Sequence, residues 1–389
     1  MRHIHALMPL QDAARAACVS HTFLRSWRCY PNLTFTLETL GLDRSTTKKD
    51  DLSRYFINKV KHILHNHAGI GIKALNLELF HGSKVNLCYL DSWLHIAVTP
   101  GIEELTLSLP HFWKARYNFP CSLLFDRVVL GCLRRLTQLH LCYVWITGDE
   151  LELLLSKSFT LECLRIAYCP EIIRVTIPCL LHRLNSLEVI DWDRLRAIES
   201  NAPNLSSFAL RMLEMSCIYH ANVVSYARTK LPSMFPNVEA LTITIRSFDE
   251  IDSTPMVPDK FLHLKYLHVC FAGRAFSPAY DYLSLVSFFD ASPLLETFIL
   301  SRRLKHNSVF EGRFHPRQMP EYRHEKLKTV KISGFCSARS MIELTYHILE
   351  NAPSLKRLTL DTTDGAARYL GKSSKCTMMW TDMVIYLLH

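Results

Sequence analysis

A short pattern recurs along this chain and constrains its fold more than any other feature: an apolar residue, two variable ones, an apolar, a variable and an apolar. It reads "IKALNL", "IEELTL", "LTQLHL", "LECLRI", "LNSLEV", "NLSSFAL", "VEALTI", "LKYLHV", "LETFIL", "LKTVKI" and "LKRLTL". The central apolar residues are Leu75, Leu105, Leu139, Leu164, Leu187, Phe208, Leu241, Leu267, Phe298, Val330 and Leu358, spaced 21 to 34 residues apart. The last two apolar positions of each copy alternate as in a short strand with one buried face. The residues after a copy often take a helical period, as in "GDELELLLSKS" after Ile146.

A unit of strand, turn and helix or loop cannot bury its apolar side alone, so neighbours must stack and their strands must line one parallel sheet. The spacing overlaps the roughly 20–29 residues of leucine-rich repeats but is more ragged. The predicted fold class is therefore α/β, an irregular leucine-rich-repeat solenoid of about eleven strands: a curved parallel sheet with helices and loops outside. A doubly wound sheet would carry longer apolar strands and a phosphate-binding turn, and neither occurs. Cys142 and Cys169 fall just after their repeat strands, where such a repeat turns into its buried loop. On the predicted arc the variable residue between the last two apolar positions faces the concave surface. That series is Asn76, Thr106, His140, Arg165, Glu188, Ala209, Thr242, His268, Ile299, Lys331 and Thr359. His140, Arg165, Glu188, His268 and Lys331 are its candidate target-binding residues.

Composition narrows the function class. Of 389 residues, 49% are hydrophobic and 21% charged, which places the chain among folded rather than disordered sequences. Thirteen cysteines without a CxxC pair or a secretory leader predict reduced thiols and a cytoplasmic or nuclear protein. No apolar run approaches the roughly 20 residues of a membrane helix, so no membrane partner is expected. A formal charge of +9 permits an acidic partner. The concave series, however, holds only two firm cations, where a phosphate-tracking groove needs a continuous basic stripe with stacking aromatics. Protein binding is thus preferred over nucleic acid. The basic clusters "RRLK" (302–305) and Arg323 to Lys328 read as solvated inter-repeat segments.

No local sequence motif supports catalysis or a cofactor. GxSxG and HExxH are absent, so the chain is expected not to be an enzyme and no catalytic residue is named. His62, His65 and His67 lie close together but lack a fourth ligand at metal spacing, so no metal site is assigned. "GKS" at 371–373 lacks the glycine spacing of a phosphate loop, and "GIG" at 69–71 reads as a turn. No cofactor is expected.

The first forty residues are of another kind. Asp12 is expected to cap a helix with an apolar side of Ala16, Val19, Phe23 and Trp27. A first cluster, Ile4, Leu7 and Met8, is ended by Pro9, and Pro31 stops the run before "NLTF". Two short helices joined at a proline resemble the F-box: Pro9, Asp12, Val19, Ser20 and Trp27 stand in matching places, with Phe23 where that family prefers Trp. The leading Leu-Pro-x-Asp-Ile is not present ahead of Met1, so the unit reads as truncated. With "FINKVKHILHNHAGIGIKALNLEL" and "LTQLHLCYVWITGDELELLLSKSFTLECLRIAYCPEI", the chain is similar to plant F-box proteins with irregular leucine-rich repeats and an FBD-like C-terminal region. The resemblance implies the substrate-recognition subunit of a cullin-based, SCF-type ubiquitin ligase. Its box would bind a Skp-type adaptor, and through it a cullin, by Leu7, Pro9, Val19, Ser20 and Trp27, while its repeats would bind an unknown target protein. The alternative is a leucine-rich scaffold outside any ligase that binds an acidic partner or RNA. The expected organisation is a partial F-box (1–38), a linker with a capping helix from about Leu52 to Leu64 (39–70), repeats (71–362) and a divergent tail (363–389).

Overall fold

The computed structural model describes residues 7–45, 48–68, 71–98, 101–110, 116–120, 133–190, 197–200, 202–211, 227, 229–245, 260–272, 280–302, 317, 323–336, 338–361 and 375–378. It divides into two compact units, Met1–Asn204 and Leu205–His389. Among the described residues no helix is long and apolar enough to cross a membrane.

The first unit opens with α1 (Leu10–Val19) and α2 (His21–Trp27). Six parallel strands follow in spatial order: β1 (Asn32–Phe35), β2 (Ala74–Glu78), β3 (Glu104–Ser108), β4 (Gln138–Cys142), β5 (Cys163–Ala167) and β7 (Ser186–Ile190). Between them run α3 (Lys49–Asn66), α4 (Leu87–Ala97) and α5 (Gly148–Leu155). A separate parallel pair, β6 (Arg174–Ile177) with β8 (Ala197–Ser200), lies outside that sheet. The second unit repeats the plan with β9 (Ser207–Arg211), β10 (Ala240–Ile245), β11 (Tyr266–Phe271), β12 (Thr297–Arg302), β13 (Thr329–Ser333) and β14 (Arg357–Asp361), all parallel. Helices α6 (Leu231–Met234), α7 (Val286–Asp290) and α8 (Arg339–Asn351) intervene, and β15 (Lys375–Met378) runs antiparallel to β14.

All eleven central residues of the sequence pattern are buried, none more than 4% exposed. They share one ladder row in each unit: Leu33, Leu75, Leu105, Leu139, Leu164 and Leu187 in the first, Phe208, Leu241, Leu267, Phe298, Val330 and Leu358 in the second. Stacking like on like is what a parallel array of short strands requires, because each strand alone has only two or three apolar contacts to offer. Leu33 adds a strand to the expected eleven. "NLTF" is too short to show periodicity, and β1 becomes visible only through its pairing with β2.

The strand starts are locked together by a repeated backbone device. Repeatedly, two successive N–H groups donate to the carbonyl of the residue just ahead of the preceding strand. Glu103 and Glu104 donate to Lys73 O, Thr137 and Gln138 to Glu103 O, and Glu162 and Cys163 to Thr137 O. The second unit continues it with Lys265 and Tyr266 to Glu239 O, and Glu296 and Thr297 to Lys265 O. Ion pairs on the same edge, such as Lys265 to Glu239 at 2.9 Å and Lys328 to Glu296 at 3.0 Å, are exposed and add little.

The N-terminal helices correct one expectation. Residues 10–27 are two helices rather than one, because Ser20 is extended at φ −150° and ψ 136° and its Oγ accepts the Thr22 N–H at 3.2 Å as the N-cap of α2. Asp12 caps nothing. It lies in the first turn of α1 and pairs with Arg15 at 3.3 Å, while Pro9 holds the N-cap position. The buried side of α1 is Leu10, Ala13 and Ala17, not Ala16 and Val19. The cluster ahead of Leu7 lies outside the described residues.

α3 runs longer than the predicted capping helix and buries Leu52, Phe56, Val60 and Leu64, where Ile63 was expected to close the stripe. Placed between β1 and β2 in the chain, it occupies the helical half of a repeat. Phe56 packs against Phe80 and Trp93 with ring centroids 5.9 and 6.4 Å apart. α5 forms as the sequence indicates, with Thr147 and Glu150 completing a capping box. Cys142 is the last residue of β4 rather than a loop residue, whereas Cys169 does lie beyond β5, fully buried.

In the second unit Arg302, expected in a solvated basic cluster, is buried at the end of β12, and residues 303–305 lie outside the described ones. Gly334 stands at φ +78°, and a Cβ there would meet Arg302 O at 2.6 Å, so only glycine fits this turn. α8 carries His347, whose Nε2 lies 3.1 Å from His324 Nε2. Asn351 Nδ2 donates to His347 Nδ1 at 3.2 Å, which leaves the His347 proton on Nε2 and makes His324 the acceptor. Burial pushes His324 down to about 4, with His347 adding to it, and lowers His347 as well.

Two outcomes are expected. Phe298→Ala removes a fully buried ring that meets Phe289 edge-on at 4.8 Å, and should cost about 3–5 kcal/mol in denaturant unfolding. The histidine pair is neutral in the fold, so the unfolded chain binds more protons between pH 6.5 and about 4. Stability should be flat above pH 7 and fall as the solution is acidified through 6.5, by up to about 1.4 kcal/mol per pH unit for His324. Unfolding curves at several pH values measure this, and the slope should shrink in His324→Gln.

Candidate functional site

Alternation along each strand turns the apolar residues inward and the residue between them outward. The register then brings those outward residues into rows. In the first unit Thr34, Asn76, Thr106, His140, Arg165 and Glu188 stand side by side on successive strands. In the second the row is Ala209, Thr242, His268, Ile299, Lys331 and Thr359. Every one of these is half-buried. The sequence thus located the row, and within each unit the structure brings its members together: His140, Arg165 and Glu188 are direct neighbours, and His268 and Lys331 are two strands apart.

The two rows differ electrostatically. Arg165 Nε lies 3.1 Å from Glu188 Oε2, close enough to pair as ions although off the line of a hydrogen bond. Burial pushes His140 down to about 4, helped by the Arg165 charge next to it, so its imidazole is neutral at physiological pH. The Nε2 of His140 and the Oδ1 of Asn76 are buried without a hydrogen-bond partner among the described residues. Burial also raises the Cys142 thiol and raises Cys169 to about 12, which keeps both protonated and unreactive. In the second unit His268 Nε2 lies 3.0 Å from Ser301 Oγ, and burial together with the charges of Arg211 and Lys331 lowers its pKa.

Sequence reasoning missed one feature beside the first row. Tyr143 and Tyr168, each just past its strand, have φ of 57° and 54°, a region non-glycine residues seldom occupy. Their N–H groups donate to Ala167 O at 3.0 Å and Ile190 O at 2.9 Å, and their rings stack 4.2 Å apart and 5° from parallel. The same strained conformation in consecutive repeats is offset by that stack and by the ladder. The spacing of two tyrosines at equal offsets from Leu139 and Leu164 was the available signal.

The N-terminal candidates fall in a different place. Leu7 is 77% exposed and Val19 84%, and Pro9 is exposed too. Ser20 serves as the cap of α2, and Trp27 ends that helix half-buried, its ring 5.5 Å from Tyr30. Val19, Ser20 and Trp27 therefore do not lie along one helix, because the break at Ser20 divides them, and Leu7 and Pro9 stand ahead of α1. Trp27 lines a groove of about 910 Å³ with Leu10, Leu24, Leu40, Tyr55 and Ile63, whereas Leu7 and Val19 lie outside it. Of the three clustered histidines, His67 places Nε2 2.9 Å from Tyr30 O, and among the described residues no group of three potential ligands converges on one point. "GKS" at 371–373 lies outside the described residues.

The profile of the At1g61320/AtMIF1 leucine-rich-repeat domain matches residues 63–386. The chain belongs to that family. The match covers every repeat from β2 onward and extends into the segment the sequence set apart as a divergent tail. A leucine-rich-repeat domain of this kind points to protein–protein interaction. No curated protein matches the sequence.

The His140 environment can be read directly. Its imidazole should titrate near pH 4 by NMR. Arg165→Ala should raise that value while leaving it below 6.5, since burial, the larger cause, remains.

Proposed function

We propose that this leucine-rich-repeat protein is the substrate-recognition subunit of a cullin-based ubiquitin ligase. Its N-terminal helix pair binds a Skp-type adaptor, and its repeat face binds the protein to be modified. The observation that carries the reading is the exposure of Leu7, ahead of α1, and Val19, its last residue, large apolar side chains left in water on the helical unit whose Trp27 lines a groove. Isolated exposed aliphatics are ordinary, but two of them on a short helical unit that also contributes Leu10, Leu24 and Trp27 to a groove suit a docking surface. The match of these positions to the F-box pattern, with repeats after it in that order, supports it further.

The work assigned to the protein is binding rather than chemistry. The Cys142 thiol beside the first row is held protonated, and His140 in that row is half-buried and neutral. The free cysteines, several of them exposed, suit a reducing compartment such as cytoplasm or nucleus.

Capture of the purified chain by a Skp-type adaptor is the direct test. Trp27→Ala should weaken capture by about 2 kcal/mol, roughly 30-fold. Val19→Asp should abolish it while leaving the unfolding midpoint unchanged, because that side chain is in water. Absence of capture by calorimetry at micromolar concentrations would leave only the repeat scaffold. If Trp27→Ala lowers the unfolding midpoint without changing capture, the tryptophan packs the helix pair and takes no part in docking.

A further inference from the structure

We infer that the groove shared by the N-terminal helix pair and α3 is a receptor for an acidic amphipathic helix of another protein. The inference goes beyond the adaptor reading, since Leu7 and Val19 lie outside the groove and α3 supplies much of its lining. The sequence builds that lining from two helical stripes. Leu10, Ala14 and Ala17 recur along one side of α1, and Tyr55, Lys59, Ile63 and Asn66 along one side of α3. Leu24 and Trp27 add the end of α2, and Leu40 comes from the turn after β1. The steps from Tyr55 to Asn66 rise ~16 Å, about three helical turns. A helix-lined apolar hollow of about 910 Å³ accepts an amphipathic helix by its apolar side. The small Ala14 and Ala17 let the axis of such a helix approach to ~8–10 Å.

Two hydrogen bonds hold the groove in shape. Gln11 Nε2 donates to Glu38 O at 2.7 Å and Lys59 Nζ to Leu40 O at 2.6 Å, so the turn is tied to both α1 and α3. Gly41 permits that closure: its φ is +63°, and a Cβ there would meet Gln11 Nε2 at 3.1 Å. A site already ordered loses less of its interaction energy on binding.

Charge selects the occupant. Arg15, Arg28 and Lys59 line the groove, and among the described residues no Asp or Glu does. Arg15 makes an exposed pair with Asp12 at 3.3 Å, which is weak. The bond from Lys59 goes to a carbonyl and leaves its charge intact, and the exposed Arg28 makes no ion pair among the described residues. Within the first hundred positions the undescribed ones, 1–6, 46–47, 69–70 and 99–100, contain no Asp or Glu. Glutamates beside the apolar stripe of the guest helix would meet Arg28 and Lys59 while its leucines cover Leu24, Trp27 and Ile63. A flat bilayer cannot enter a hollow. Single-stranded nucleic acid fits less well, because Leu10, Leu24 and Leu40 offer bases no stacking platform.

The test uses the full chain and a fluorescein-labelled peptide of about sixteen residues, with leucines in a helical stripe and glutamates flanking it. Anisotropy at about 50 mM salt reads binding, and circular dichroism reads the helix. Micromolar binding with a gain of helix is expected, at least tenfold tighter than that of a lysine-flanked version or of one with its leucines scattered. Trp27 serves the adaptor reading too, so the variants leave it in place. Arg28→Glu with Lys59→Gln should lose at least tenfold. Ala14→Trp, which fills the groove, should lose as much, and thermal melts show that each variant is folded. Should the double variant unfold, Arg28→Glu alone should lose about fivefold. Arg25→Glu, an exposed cation of α2 outside the groove, should change little. Equal binding of the glutamate and lysine peptides, binding without helix, or full binding by the folded groove variants would overturn the inference. So would displacement by oligouridylate at a lower concentration than by unlabelled peptide. Peptide binding without adaptor capture would fail the ligase reading alone, and capture without peptide binding would fail this inference alone.

Discussion

Everything in this molecule depends on how a five-residue strand is made stable. Such a strand offers two buried side chains and a few backbone hydrogen bonds, too little to order itself against the entropy of its backbone. The solution is repetition at fixed register. Leu164 lies against Leu139 on one side and Leu187 on the other, and Glu103 O accepts from both Thr137 and Gln138 at the start of the next strand. Each repeat supplies the surface on which its neighbour folds, and stability is a sum of such nearest-neighbour terms.

That constraint also fixes what is available for function. With alternate side chains committed to the core, the outward position is the one freely variable place on each strand, and the register turns those positions into rows. Neutral His140, paired Arg165 and Glu188, and cationic Lys331 differ in chemistry while sharing one backbone environment. Recognition can therefore be altered repeat by repeat without disturbing Leu139 or Val330 behind it. The stacked Tyr143 and Tyr168 show the limit of that freedom, because their left-handed backbone persists where ring and N–H find partners in neighbouring repeats.

Buried polar groups outside the rows are handled differently. Glu343, 2% exposed on α8, is matched by Arg317 at 2.6 Å and Arg339 at 3.0 Å, and Arg317 also reaches Asp281. Removing one cation there would leave a buried carboxylate underpaired, which is more costly than losing a surface pair. His324 and His347 instead stay neutral and share a single proton between their facing nitrogens, which makes the second unit sensitive to acid.

The sequence by itself determined the repeat strands, their buried residues and the outward series, because alternation of period two is a local property and eleven copies leave little ambiguity. It determined α5 as well, where the capping residues Thr147 and Glu150 and the leucine spacing agree. It did not determine β1, β6 or β8, which are four-residue strands defined by their partners and not by any pattern of their own. Nor did it place the break at Ser20, since one residue can continue a helix or cap the next, and packing of Leu10, Ala13 and Ala17 chose the second. Charge compensation was likewise invisible in the chain. Arg165 and Lys331 look alike as letters, and only the strand alongside supplies Glu188 to one and Ile299 to the other.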